Sequence, residues 1–351
     1  MAMNLKLCRY SNIGNTCYIN SILHILQNIS LFTNYILNIE HILKKKYIIE
    51  NDEFLNKIII YQLYGLLKLS LTNNNRKIKP YGFKLAISNK DDRWAEPDHH
   101  DSSEFFNFLI NIIQEDIALK NIKIYNLNVT NNISNNSYEN IINLLGYDQW
   151  FKSNEYSELT PMFNNQICNN IKCGFCGNIN IKYELIITLD VAIPETSNNE
   201  ISIYDCLDYY FTNQIEGTST CDFCGMRCKK DNIMNLWKSS DILVITIKCF
   251  NNNLEKKIKN INYPINNFDI SKYINKSSPF NNNNIYDLIG INIHLSLLKN
   301  NINIGHYISY IKNFNNNKWY LYNDDSEPVE LSEDNLITNN AYMLFYHRKI
   351  S

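Results

Sequence analysis

The chain has 351 residues, 45% of them hydrophobic, enough to bury a large core in one large domain or two to three subdomains. A formal net charge of −2 speaks against a general basic face, so no nucleic-acid partner is expected. The most apolar stretch, Ile58 to Leu71, is short and carries Gln62, Gly65 and Lys68, so no membrane span is expected.

In chain order, apolar residues follow Cys17 at Ile19, Ile22, Leu23, Leu26 and Ile29, which predicts an amphipathic helix. Thr16 is its expected N-cap, placing Cys17 in the first turn. Helical periodicity continues in Ile36 to Lys45, Phe54 to Leu71 and Ser103 to Glu115, the last preceded by the capping run Asp101-Ser102-Ser103-Glu104. The polar segment Tyr125 to Asn154 is a candidate insertion, and asparagine runs such as Asn73 to Asn75 and Asn315 to Asn317 read as exposed loop. From Tyr183 the texture changes. Tyr183 to Val191, Ile242 to Ile247, Tyr286 to Leu295, Tyr307 to Lys312, Trp319 to Tyr322 and Ala341 to His347 are rich in Ile, Tyr, Val and Phe and read as strands. A helical first half against a mostly antiparallel β second half belongs to the α+β class.

The N-terminus has Lys6 and Arg9 in a polar run and no apolar h-region, so the ten cysteines are expected to be reduced, in the cytoplasm or nucleus. Four of them form two knuckles, Cys173-Gly174-Phe175-Cys176 and Cys221-Asp222-Phe223-Cys224. Each Cys-x-x-Cys turn directs two thiolates at one metal, so the pair predicts a structural zinc site with four sulfur ligands. Cys228 is a possible substitute ligand, but the paired spacing favours the other four.

Two distant blocks carry the candidate chemistry. One is Asn12-Ile13-Gly14-Asn15-Thr16-Cys17; the other is Gly305-His306-Tyr307, followed by Trp319 to Asp325. A helix N-terminus and a nearby imidazolium both stabilise a thiolate, and Cys17 is predicted to have both. His306 would move the proton, and Asn323 or Asp324 would hold its ring. The Cys17 amide and the Asn12 side chain are the candidate oxyanion donors.

These blocks resemble the Cys and His boxes of the ubiquitin-specific proteases, papain-like cysteine deubiquitinases. His100 to Phe105 is similar to the family's Gln-Asp-Ala-x-Glu-Phe block, Ile247-Lys248-Cys249-Phe250 to its Leu-Lys-Arg-Phe strand, and Ala341 to Tyr346 to its closing strand. The resemblance implies a thumb–palm–fingers fold: a helical thumb over 1–165, zinc-bearing fingers over 166–240 and a β-rich palm over 241–351. It implies thiol-dependent cleavage after the C-terminal glycine of ubiquitin, with Asp101 and Glu104 meeting the basic tail and an activating partner possible. A protease for a ubiquitin-like modifier and an inactive ubiquitin-binding scaffold are the alternatives. The chain departs from the family at Tyr10-Ser11, where Gly-Leu is usual, at His100, at Cys249, and in lacking a glycine two residues after His294.

Overall fold

The computed structural model describes residues 8–39, 58–72, 77–117, 157, 159–195, 200–212, 218–249, 260–281, 283–296 and 305–349. The chain divides into two compact units. The first holds Met1–Ile117, Thr246–Ile261 and Leu288–Phe345, and the second holds Ala118–Ile245, Asn262–Asp287 and Tyr346–Ser351. The candidate insertion at 125–154 lies outside the described residues.

In the first unit, helix α1 (Cys17–Asn28) packs on the strand Gly305–Asn313 and on the helix Ser102–Ile117. The expected helix at 36–45 is described only as the end of Ser30–Asn38, residues 40–45 lying outside the described set. The helix expected over 54–71 is present as Ile59–Thr72. In the sheet, neighbouring strands run in the order Val329–Leu331, Lys318–Tyr322, Gly305–Asn313, Ile285–Ser296, Ala341–Arg348 and Ile242–Lys248. Gly305–Asn313 is antiparallel to both its neighbours, with His306 opposite Leu295 and Ser309 opposite Tyr322.

The expected apolar and polar faces of α1 are both there, but all twelve of its residues are buried, so the polar face meets protein and not water. Its polar residues are satisfied by the protein around it. Ser21 Oγ accepts from Asn292 Nδ2 at 2.9 Å, and Asn292 Oδ1 accepts from Ser102 Oγ at 2.8 Å, a chain of bonds linking α1, the central strand and the Ser102 helix. Buried polar groups are tolerated when paired in this way, and they fix one register of helix on sheet. An aromatic cluster of Tyr18, Trp94, His100 and Phe105, with ring centroids 5.0 to 5.7 Å apart, closes the other side of the Cys17 end of the helix.

In the second unit, four antiparallel strands run in the order Ile179–Ile186, Asn165–Cys173, Arg227–Lys238 and Thr218–Thr220. The strand expected over 183–191 is two strands, broken at Ile187 before Thr188–Ala192. Ile179–Ile186 and most of Arg227–Lys238 are exposed or half-buried, whereas the central Asn165–Cys173 is largely buried. Trp237 and Cys168 form a small buried cluster, supported by Ile181, Tyr183 and Phe280.

Candidate active site

The segment before Cys17 is folded by its own side chains. Gly14 and Asn15 take left-handed conformations, with φ of 109° and 51°. Asn12 Oδ1 accepts from the N–H groups of Gly14 at 3.3 Å and Thr16 at 3.0 Å. Thr16 occupies the N-cap position as expected, but its hydroxyl turns back to accept from Ile13 N–H at 3.0 Å and makes no bond to the helix amides. The first turn of α1 is therefore without a side-chain cap, which leaves its positive end directed at the Cys17 sulfur.

His306 lies on the strand Gly305–Asn313, and the Cys17 thiol is the largest influence on its imidazole. Its Nε2 lies 2.7 Å from Asn323 Oδ1 and 4.0 Å from Asp324 Oδ2. An amide oxygen only accepts, so Nε2 carries a proton and Nδ1 is the nitrogen left to exchange a proton with the thiol. Cys17 is the main cause raising His306 to about 9; burial opposes it, and Asn323 and the charges of Cys17 and Asp324 add to it. The folded-state value exceeds the unfolded one. The associated stability is therefore complete below the ordinary histidine pKa of about 6.5 and is lost as pH rises through about 9. Deprotonation also removes the acid that a leaving group needs. Turnover is accordingly expected to fall along an alkaline limb near pH 9, and Asn323→Ala should move that limb lower in a kcat/KM profile.

The two candidates for the third position do different things. Asn323 contacts the imidazole. Asp324, at φ 45°, turns its carboxylate towards α1 and the Asn12 loop. Its Oδ1 accepts from Asn20 Nδ2 at 2.8 Å and its Oδ2 from Asn12 Nδ2 at 3.0 Å. Its carbonyl is 3.2 Å from His24 Nε2. Gln27 Nε2 lies 3.3 Å from His24 Nδ1, and since that amide nitrogen can only donate, His24 is protonated on Nε2 and donates to Asp324 O. Burial lowers His24 to about 3, so it is neutral at pH 7 and keeps this role.

Asn20, His24 and Gln27 were not singled out from sequence. Their signal was available: Cys17, Asn20, Ser21, His24, Gln27 and Asn28 recur at 3- and 4-residue intervals, a polar stripe in phase with the thiol. Nor was the zipper between the loop and the turn, in which Ser11 Oγ donates to Asp325 Oδ2 at 3.1 Å and Arg9 Nη1 to Glu327 Oε1 at 2.6 Å.

Gly305 explains its own identity. A Cβ there would collide with Nε2 of His294, a buried ring stacked on Tyr307 with centroids 4.6 Å apart. Gly305→Ala is expected to cost about 1–3 kcal/mol from overpacking. Because the neighbouring His306 would be displaced, turnover should fall by about 100-fold. Thermal melting and kcat/KM measured on the same variant check both effects.

Asp101 caps the helix Ser102–Ile117: Oδ1 accepts from Ser103 N at 2.7 Å and Glu104 N at 3.1 Å, while Oδ2 accepts from the Tyr342 hydroxyl. Glu104 is exposed and pairs with Arg93 at 2.6 Å.

The other cluster lies in the second unit. The sulfurs of Cys173, Cys176, Cys221 and Cys224 all lie within 4.8 Å of one another and could hold a metal ion. Two of the separations are 4.0 Å (Cys173–Cys224) and 3.9 Å (Cys176–Cys221). Each knuckle closes with a glycine in the left-handed region, Gly177 N–H donating to Cys173 O and Gly225 N–H to Cys221 O. The N–H groups of Cys176 and Phe175 are the main cause holding the Cys173 thiol below its ordinary value. Cys228 Sγ lies 3.3 Å from Cys173 Sγ.

The family model for ubiquitin carboxyl-terminal hydrolases matches residues 8–346. The chain belongs to this family. It is 25% identical over 347 residues to the Drosophila melanogaster ubiquitin carboxyl-terminal hydrolase Usp2, a match covering 97% of this chain and 35% of that protein. It is 23% identical over 353 residues to human ubiquitin carboxyl-terminal hydrolase 2, covering 95% of this chain and 54% of that protein. The chain thus spans about a third to a half of the length of the curated relatives it matches. Among solved structures, the SAGA Ubp8/Sgf11/Sus1/Sgf73 DUB module bound to ubiquitin aldehyde matches with a TM-score of 0.72 and 21% identity, covering 100% of this chain and 71% of that one. The fold is therefore that of the ubiquitin carboxyl-terminal hydrolases, mixed helix and sheet with a four-cysteine cluster. No helix among the described residues is long and apolar enough to cross a membrane.

Proposed function

We propose that the chain is a thiol-dependent deubiquitinase that hydrolyses peptide and isopeptide bonds after the C-terminal glycine of ubiquitin. The observation that carries this reading is the line from Cys17 through the His306 imidazole to Asn323 at 2.7 Å, within a chain of this family.

In this reading the Cys17 thiolate attacks the carbonyl carbon while His306 is protonated on both nitrogens. The Nδ1 proton passes to the leaving amine, giving a thioester on Cys17. Water then attacks, giving its proton to Nδ1, and the thioester opens to release the carboxylate. Asn323 keeps the ring in place without adding charge. The oxyanion is held by the Cys17 amide and by Asn12. One Asn12 N–H is already given to Asp324, and an amide has two, so the second is available to the oxyanion while Asp324 fixes the side chain. Asp324 thus acts on the oxyanion side and Asn323 on the base.

Substrate recognition is assigned to Asp101 and Glu104, with the basic ubiquitin tail as their partner. Both oxygens of Asp101 already accept protein hydrogen bonds, whereas Glu104 is exposed and its pair with Arg93 is exchangeable. The ion assigned to the four cysteines is zinc. Zinc–sulfur bonds of about 2.3 Å in a tetrahedron place the sulfurs about 3.8 Å apart. The observed 3.9 and 4.0 Å separations fit that edge. Four thiolates close the coordination shell, so the zinc would be structural. The division into thumb 1–165, fingers 166–240 and palm 241–351, the cytoplasmic or nuclear location and a possible activating partner belong to the same proposal.

Side-by-side hydrolysis of fluorogenic C-terminal amides of ubiquitin and of ubiquitin-like modifiers tests the substrate. Turnover of the ubiquitin amide at a kcat/KM well above the others is the expected result. Preference for another modifier would replace ubiquitin as the substrate, and hydrolysis of none would point to a binding scaffold.

A further inference from the structure

The Cys173–Cys228 separation does not belong to a zinc tetrahedron. At 3.3 Å it is shorter than the ~3.8 Å edge between two ligands of one zinc, while Cys173–Cys224 and Cys176–Cys221 match that edge. Cys228 is therefore a fifth thiol held against a ligand sulfur rather than a ligand itself. The backbone enforces this approach. Cys228 lies on the strand Arg227–Lys238, whose Lys230 is in register with Cys173. Gly174 N–H donates to Lys229 O at 3.1 Å, and a Cβ at Gly174 would stand 2.8 Å from that oxygen, so only glycine lets the knuckle come this close to the strand. Cys173 is buried, but Cys228 against it is half-buried and Cys176 is exposed, so small oxidants reach the cluster from that edge.

We propose that Cys173 and Cys228 form a peroxide-sensitive thiol pair whose oxidation to a disulfide dismantles the four-cysteine metal site. The metal part rests on the zinc reading above; the disulfide part does not. In the first step the Cys173 thiolate attacks a hydroperoxide oxygen, giving a sulfenic acid and hydroxide. In the second the Cys228 thiol attacks the sulfenic sulfur, the S–S bond forms and water leaves. Two thiols are oxidised by two electrons and one peroxide is reduced. Cys173 is then no longer a thiolate ligand, and the three remaining sulfurs hold zinc less tightly. Cys228 is the resolving thiol because it is adjacent to Cys173 and not tied to the metal.

The experiment uses the full chain, with zinc content measured first. Hydrogen peroxide is added in the presence of a chromogenic zinc chelator, and cysteine pairings are mapped by mass spectrometry of non-reduced digests. The parent should lose zinc with formation of a Cys173–Cys228 disulfide, and Cys228→Ser and Cys228→Ala should release zinc at least about 10-fold more slowly. Equal release rates in the variants, or a disulfide confined to Cys173–Cys176 or Cys221–Cys224, would overturn the proposal. A parent that purifies without zinc yet forms the Cys173–Cys228 disulfide would overturn the zinc reading and leave the thiol pair standing.

Discussion

Replacing Cys17 by alanine is expected to lower turnover of ubiquitin conjugates by about 10,000-fold or more, because in the proposed reaction Cys17 carries the acyl intermediate. The thiol is small and buried at the start of a helix held by many other contacts, so the variant should fold and melt close to the parent. The same substitution should lower the pKa of His306, since Cys17 is the largest influence raising it to about 9. Titration of the histidine by NMR in parent and variant checks this second consequence independently of activity. An active Cys17→Ala variant would remove the nucleophile from the account altogether.

The second large effect concerns the metal. The strands Ile179–Ile186 and Arg227–Lys238 alternate between exposed and half-buried residues over most of their length, and the buried apolar residues described there, among them Ile167, Cys168, Leu236 and Trp237, lie on Asn165–Cys173 and at the end of Arg227–Lys238 away from the knuckles. Towards the knuckles the sheet buries too little apolar surface to hold itself together. At its far end the four cysteines are the cross-link. Zinc binding at such sites is worth on the order of 10 kcal/mol. Cys221→Ala, or a strong chelator, is therefore expected to raise amide exchange at residues 170–182 and 218–232 by about 1,000-fold or more. Exchange in the strand Gly305–Asn313 serves as the internal control. Unchanged protection at the knuckles would mean that the sheet stands without metal.

Much of the catalytic unit was legible because its segments are buried in a regular way. The helix Ser102–Ile117 and the strands Ile285–Ser296, Gly305–Asn313 and Ala341–Arg348 carry apolar patterns set by the core, and their observed limits lie within one or two residues of the expected ones. The two long strands that carry or flank the cysteines were not read as strands. Asn165–Cys173 is mostly buried yet rich in Asn, and Arg227–Lys238 alternates exposed and half-buried residues rich in Lys and Asn, so no apolar alternation marks either. The helices Tyr81–Lys90 and Ile203–Thr212 are short, ten residues each, and were likewise unmarked.

At the site, spacing and residue type pointed to Cys17 and His306, but could not separate Asn323 from Asp324. Neighbours in sequence usually share an environment. Here the left-handed backbone at Asp324 sends the two side chains to different targets, one to the imidazole and one to Asn12 and Asn20. That backbone is fixed from across the fold by neutral His24, a contact 300 residues away in sequence. Long-range polar contacts of this kind leave no periodicity, and the polar stripe on α1 acquires its meaning only once the turn at Asn323–Ser326 is seen against it.

The most direct test of the central claim is covalent labelling of the full chain by ubiquitin carrying a C-terminal alkyne electrophile, read by intact mass and peptide mapping. One adduct is expected, on Cys17 among the ten cysteines, absent in Cys17→Ala. No adduct on the folded, metal-loaded protein, or an adduct on any other cysteine, would contradict it.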